Sequence, residues 1–141
     1  MSLTLEEIAR RSADLMWAED KTAQEHGIRI ELIRPGEASL SMLVAKAMTN
    51  GHGIGHGGFI FLLADTAFAY ACNSHNQRCV AQHCSITYLN PAKEGSRLTA
   101  TAREVRRLDR SGVYDVSVAD ETGAPIAEFR GHSRTLPGTF F

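Results

Sequence analysis

Phe59 to Cys72 reads FIFLLADTAFAYAC, a run in which Asp65 is the only carboxylic acid. It is shorter than the ~20 apolar residues that a membrane span needs. Its alanines at 64, 67, 69 and 71 favour helix and let another backbone approach closely. A helix apolar on nearly every side belongs in the middle of a core. The run therefore predicts one central, buried helix.

Just upstream, Asn50-Gly-His-Gly-Ile-Gly-His-Gly-Gly58 has five glycines in nine positions and reads as a loop. Before it, Ile28, Ile30 and Leu32 alternate with Arg29 and Glu31. Pro35-Gly36-Glu37 turns the chain, and Leu40, Met42 and Val44 alternate on the return, so a hairpin is expected. Farther back, Thr4 and Glu7 form a capping box, and Leu5, Ile8, Ser12 and Leu15 keep helical spacing to about Ala18. A second short turn ends at Gly27, so residues 1–26 read as a helical segment.

Downstream of the helix the pattern turns to strands: Cys79–Leu89, Arg97–Leu108, Gly112–Ala119 and Ala124–Arg134. Breaks fall at Asn90-Pro91, Asp109 to Gly112 and Glu121-Thr122-Gly123. Short turns imply antiparallel neighbours. Residues 136–141 read as a loose tail. The expected architecture is α+β, a single domain over residues 1–141 with one long helix wrapped by one antiparallel sheet. Such a sheet has open edges that a second copy would protect.

At 141 residues the chain suits one core. A net charge of -1 gives no basic field for nucleic acid or an anionic membrane. The N-terminus has early acidic residues and does not read as a signal peptide. Cys72, Cys79 and Cys84 are an odd number with no C-x-x-C pair, which predicts buried, reduced thiols in a cytoplasmic protein.

Asp65 is the oddest residue. A carboxylate in an apolar helix is costly unless paired, hydrogen-bonded or wetted, and such groups cluster at functional sites. The bland alternative is a solvated or helix-pairing aspartate. The glycines before the helix would leave several backbone amides accessible at its N-terminus, where they can polarise a carbonyl and stabilise an oxyanion. No Lys-Ser/Thr follows them, which excludes a P-loop. His52 and His56 are four apart among glycines and lack a third ligand, so no metal is expected. His56 reads instead as a hydrogen-bonding residue that shapes the loop or contacts substrate, and Asn50 offers a donor and an acceptor beside it.

The stretch from Asn50 to Ser74, centred on His56-Gly57-Gly58 and Asp65, resembles the signature of hotdog-fold thioesterases. More closely, it resembles the thioesterases of bacterial phenylacetic acid degradation. Thr87-Tyr-Leu-Asn-Pro91, Gly112-Val-Tyr-Asp115 and Phe129-Arg-Gly131 also fit, and the resemblance runs from about Gly27 onward. It implies a hotdog fold and hydrolysis of an acyl-CoA thioester, with phenylacetyl-CoA or its ring-hydroxylated derivatives as substrate and no cofactor. It assigns Gly57 as the amide that binds the thioester oxygen and Asp65 as general base or nucleophile. Asn50 and His56 would orient substrate and water. Some related enzymes carry a hydroxyl residue early in the next strand to assist water; here that position is Ala81, a departure that leaves more of the work to Asp65.

Asp65 follows Gly57 by eight residues, ~12 Å along a helix, too far for one carboxylate to reach a thioester held at its own Gly57 amide. The expected site is therefore shared between two subunits of a dimer, and the family often pairs dimers into tetramers. Gly58 and Phe59 are further candidates for contact with substrate. Arg110, with Arg103, Arg106 and Arg107, could meet the phosphates of coenzyme A, although a solvated hairpin face is the simpler reading. Two rivals stand beside the thioesterase: a hotdog hydratase or dehydratase, with His56 and Asp65 as an acid/base pair, and a non-catalytic acyl-CoA binding module.

Overall fold

The computed structural model describes residues 2–141; Met1, the start of the expected domain and its N-terminal segment, lies outside the described residues. The expected capping box forms. Thr4 Oγ1 accepts from the Glu7 amide at 3.1 Å while the Thr4 amide donates to Glu7, opening α1 (Leu5–Glu19). Asp20 caps α2 (Lys21–Glu25), accepting from the Ala23 amide, and its other oxygen accepts from the Tyr70 hydroxyl. Gly27, at φ +66°, ends that turn in the left-handed region that favours glycine.

The expected hairpin follows as β1 (Arg29–Arg34) and β2 (Glu37–Leu43). Its alternation is not uniform. A bulge between Ile30 and Leu32 shifts the register, so Ile33, paired with Ala38, is the buried residue near the turn and Leu32 is only half-buried. An extra residue in one strand inverts the faces beyond it.

The apolar run becomes α3, which extends back through the last two glycines of the loop (Gly57–Cys72). Four strands follow: β3 (Cys79–Tyr88), β4 (Arg97–Leu108), β5 (Ser111–Ala119) and β6 (Pro125–Thr135), within a residue or so of the breaks read from sequence. All six strands form one antiparallel sheet in the order β1-β2-β4-β5-β6-β3. The fold is the expected α+β hotdog arrangement, one long helix packed on one antiparallel sheet.

One connection departs from the expectation that short turns join neighbours. β3 and β4 are consecutive, yet β3 lies at the far edge beside β6 while β4 lies beside β2. The segment after Tyr88 crosses the end of the sheet instead of turning back. Ala92 accepts from the Gly55 amide, Lys93 bridges Ile54, and Ser96 accepts from the Val44 amide.

The helix meets the sheet through Ala64, Ala67 and Ala71, all fully buried, with Leu63, Phe68 and Tyr70 filling the space around them. Gly131 on β6 leaves room for the Phe68 ring, since a Cβ there would stand 2.8 Å from it. The sheet covers only part of the helix. Leu62, Asp65, Thr66 and Ala69 remain half-buried, so α3 is not enclosed on all sides within one chain. The sheet also ends on β3, whose side chains are mostly exposed, Val80 and Tyr88 among them.

Residues 136–141 are docked rather than loose. Arg78 donates its amide to Gly138 and its Nε to Thr139, the Asn76 side chain grips the backbone of Phe140 and Phe141, and Arg11 stacks 4.2 Å from the Phe141 ring. These partners lie far from the tail in sequence and close to it in space.

Candidate active site

Most of the glycine-loop amides expected to be accessible are engaged. Asn50 organises the turn: its side-chain oxygen accepts from the His52 amide at 2.9 Å and more weakly from Ile54, while its carbonyl accepts from Gly53. Gly53 sits at φ +76°, which such a turn favours glycine for. The Gly55 amide donates to Ala92, and the His56 amide to Met48. His56 then caps α3: its Nδ1 accepts from the Gly58 amide at 2.9 Å, which assigns the ring proton to Nε2. His52 lies in the preceding turn, so the two histidines share no helical face.

The Gly57 amide is different. Among the described residues it donates to no acceptor, and it lies in the first turn of a 16-residue helix, where the backbone dipoles leave partial positive charge. Its own carbonyl accepts from the Tyr88 hydroxyl at 2.8 Å. A Cβ on residue 57 would stand 3.0 Å from that tyrosine, so the position must stay small. Together Asn50, Ile54, Gly57, Ile60, Tyr88 and Leu89 line much of a cleft of about 350 Å³.

Asp65 lies two turns farther along the same helix, on the face the sheet leaves uncovered. Burial raises its carboxyl above the ordinary aspartate value. No cation pairs with it among the described residues; the polar neighbour is the Cys84 thiol, with Sγ 4.0 Å from Oδ1. Burial and the nearby Asp65 charge in turn raise the Cys84 thiol. The nearest helix hydroxyl, Thr66, donates to the Leu62 carbonyl instead. Ala81, paired with Ser133, brings no hydroxyl from β3.

A single chain does not assemble every expected residue. Asn50, His56, Gly57 and Gly58 gather at the helix N-terminus, and Phe59 packs beside the His56 and His26 rings. Arg110 sits on the β4–β5 turn, where its carbonyl accepts from Thr135 at the Cys79 end of β3. Gly57 is at the Tyr88 end, about 30 Å away along the strand. Within one chain, then, Arg110 is not part of this site. Tyr88 and Cys84 escaped the sequence reading as site residues. Their signal is the period-two spacing of Cys84, Ile86 and Tyr88 on one strand, which puts all three on the helix-facing side.

The sequence pattern of the thioesterase superfamily matches residues 52–127, more than half of the chain and the part that carries this loop, helix and strand. The chain belongs to the thioesterase superfamily. This thioesterase is 42% identical over 131 residues to the acyl-coenzyme A thioesterase PaaI of Escherichia coli, a match covering 93% of this chain and 94% of that protein. The solved structure of the E. coli PaaI protein, from the phenylacetic acid degradation operon, superposes with a TM-score of 0.95 at 41% identity, covering 96% of this chain and 99% of that one. A Streptococcus mutans protein solved with bound acetyl CoA matches at a TM-score of 0.76 and 25% identity, over 79% and 90% of the two chains. The thioesterase thus has the reaction class that its loop and helix implied, thioester hydrolysis.

Proposed function

We propose that this thioesterase hydrolyses acyl-CoA thioesters, with phenylacetyl-CoA or ring-hydroxylated phenylacetyl-CoA as the preferred class, releasing the free acid and coenzyme A in phenylacetate degradation. The acyl class is supported by the likeness to the E. coli protein of the phenylacetic acid degradation operon. The observation that carries the chemistry is a pair of open groups on one helix: an amide without an acceptor at Gly57 and a carboxyl without a cation at Asp65.

Those two groups are ~12 Å apart along the helix and meet only if two copies of α3 lie antiparallel. The strand beside the helix fits the same operation. Gly57 is level with Tyr88 and Asp65 with Cys84, four strand residues that span ~13 Å. One two-fold axis near Phe61 and Ile86 would therefore bring each Asp65 to the Gly57 of the other copy and set the exposed β3 edges side by side. It would also cover the open face of α3. We extend this to a dimer of dimers, the tetramer of the family.

In this arrangement the thioester carbonyl accepts a hydrogen bond from the Gly57 amide. Asp65 takes a proton from water as its oxygen attacks the carbonyl carbon, or attacks that carbon itself to give an anhydride that water then opens. The tetrahedral oxyanion stays on the Gly57 amide while the C–S bond breaks and the thiolate leaves. Asn50 and His56 keep the loop in the shape that presents this amide, and Gly58 and Phe59 border the acyl group. Arg110 would approach the coenzyme A phosphates only from the second subunit. The reaction calls for no cofactor or metal. His56 is committed to capping α3 through the Gly58 amide, which favours hydrolysis over an acid/base hydratase. No helix among the described residues is long and apolar enough to cross a membrane. Free thiols at all three cysteines accord with a cytoplasmic enzyme.

The test is thiol release from phenylacetyl-CoA, hydroxyphenylacetyl-CoA, benzoyl-CoA, short- and long-chain acyl-CoAs and crotonyl-CoA, with wild type beside Asp65→Asn. Wild type should prefer the aryl-acetyl substrates, and the variant should lose ~10²–10⁴-fold in kcat. No thiol release from any substrate, or an unchanged variant, would remove Asp65 from the chemistry.

A further inference from the structure

A second cluster of reactive side chains lies at the opposite end of α3 from Gly57. The helix ends on Cys72, and β3 begins on Cys79. Asn73, itself buried, pins the two ends together. Its Nδ2 donates to the Cys72 sulfur at 3.6 Å and to the Cys79 carbonyl at 3.2 Å, while its Oδ1 accepts from the Cys79 amide at 2.8 Å. That clamp holds the end of the helix that carries Cys72 against the start of the strand that carries Cys79, and the two thiols shift each other's ionisation. Buried, reduced thiols were the expectation from sequence; only Cys72 is buried.

The two sulfurs have unequal surroundings. Cys72 is enclosed in the core. Cys79 is half-exposed at a cleft of about 310 Å³ lined with it by Gln77, Arg107, Asp109 and Thr135, and the Thr135 hydroxyl lies 3.6 Å from its sulfur. The neighbouring Cys72 thiol, aided by Thr135 and the Arg107 cation and opposed by burial, lowers Cys79 to about 7. The Cys79 thiol and burial push Cys72 up. An accessible sulfur that ionises readily, beside a buried one that keeps its proton, is the arrangement in which one thiol reacts and the other resolves.

We propose that Cys79 and Cys72 form a redox-active dithiol: Cys79 is the site of attack by a peroxide, and Cys72 closes the product to a disulfide. The Cys79 thiolate attacks one peroxide oxygen, the O–O bond breaks, and the released hydroxide takes a proton to leave as water, giving Cys79 sulfenic acid. The Cys72 sulfur then attacks the Cys79 sulfur, its proton leaves with the hydroxyl as a second water, and the S–S bond forms. The pair loses two electrons and the peroxide gains two. A small thiol reverses the step by exchange, itself becoming a disulfide. The modification would tie the C-terminus of α3 to the start of β3 within one chain.

The experiment exposes the folded protein to a small excess of hydrogen peroxide and then counts thiols after denaturation. The three thiols per chain should fall to one, with loss of two hydrogens in mass, a Cys72–Cys79 cross-link in the non-reducing peptide map, and full recovery with dithiothreitol. Cys72→Ser should halt at the sulfenic acid, trapped on Cys79 by a cyclic dione. Cys79→Ser, at a half-exposed position, should keep both remaining thiols under the same exposure. Survival of all three wild-type thiols would overturn the assignment, as would oxidation landing on Cys84, a cross-link between chains, or absence of a dione adduct on Cys79 in Cys72→Ser.

Discussion

Burial holds the Asp65 carboxyl above the ordinary aspartate value of 3.8, and no cation among the described residues offsets it. A general base or nucleophile works only when ionised, so the sign is fixed. Activity is present above the Asp65 pKa and is lost as pH falls through it. The acid limb of kcat/KM should therefore have its midpoint above 3.8, and the same limb should be missing from the residual rate of Asp65→Asn. A wild-type profile that stayed level down to 3.8 would mean that the carboxyl acting on the substrate is not this buried one. Burial and the Asp65 charge raise the Cys84 thiol beside it, so that thiol contributes no competing acid limb.

The same logic of close approach governs the elements. α3 sits against the sheet because the residues between them are small, and Gly131 is the tightest of these contacts. A Cβ there would stand 2.8 Å from two carbons of the Phe68 ring, which is itself wedged against Tyr114 and Phe129. Gly131→Ala should destabilise the protein by about 1–3 kcal/mol through overpacking, read as a lower urea midpoint at unchanged slope. Gly51→Ala, where an added Cβ meets nothing, serves as the control and should move the midpoint little. The existence of α3 was legible in sequence because an apolar run with regular alanines has few other ways to fold, and the strands because Gly, Pro and Asn mark their ends. Their order was not. Nothing in Asn90-Pro91 says that the chain crosses the sheet instead of turning back, since that depends on Ala92 and Lys93 meeting the glycine loop. The β1 bulge and the docked tail depend on distant partners in the same way. At the site, Gly57 and Asp65 stand out by residue type alone. That Gly57 keeps an open amide while Gly53, Gly55 and Gly58 do not is a property of the folded loop, and Tyr88 declares itself only once β3 lies against the helix.

On the scale of the whole molecule, the proposed site makes catalysis a property of pairs of chains, because Gly57 and Asp65 are ~12 Å apart along one helix. Mixing two inactive proteins puts this to a direct test. Asp65→Asn keeps an intact Gly57 end, and Gly57→Val, whose side chain collides with Tyr88, keeps an intact Asp65. Each should be nearly inactive by itself, because every site in either homodimer lacks one group. In a mixed dimer one site receives both altered residues and the other receives both native ones. Random pairing of equal amounts makes half the dimers mixed, and each of those has one working site of two, so co-refolding should restore about a quarter of wild-type activity. Were Asp65 to act on a thioester held by its own chain, every chain in the mixture would still lack one group, and co-refolding would restore nothing. Size-exclusion chromatography of each variant separates that result from a trivial failure to pair: a dead mixture that still forms dimers would rule out the shared site, and the recovered quarter would establish it.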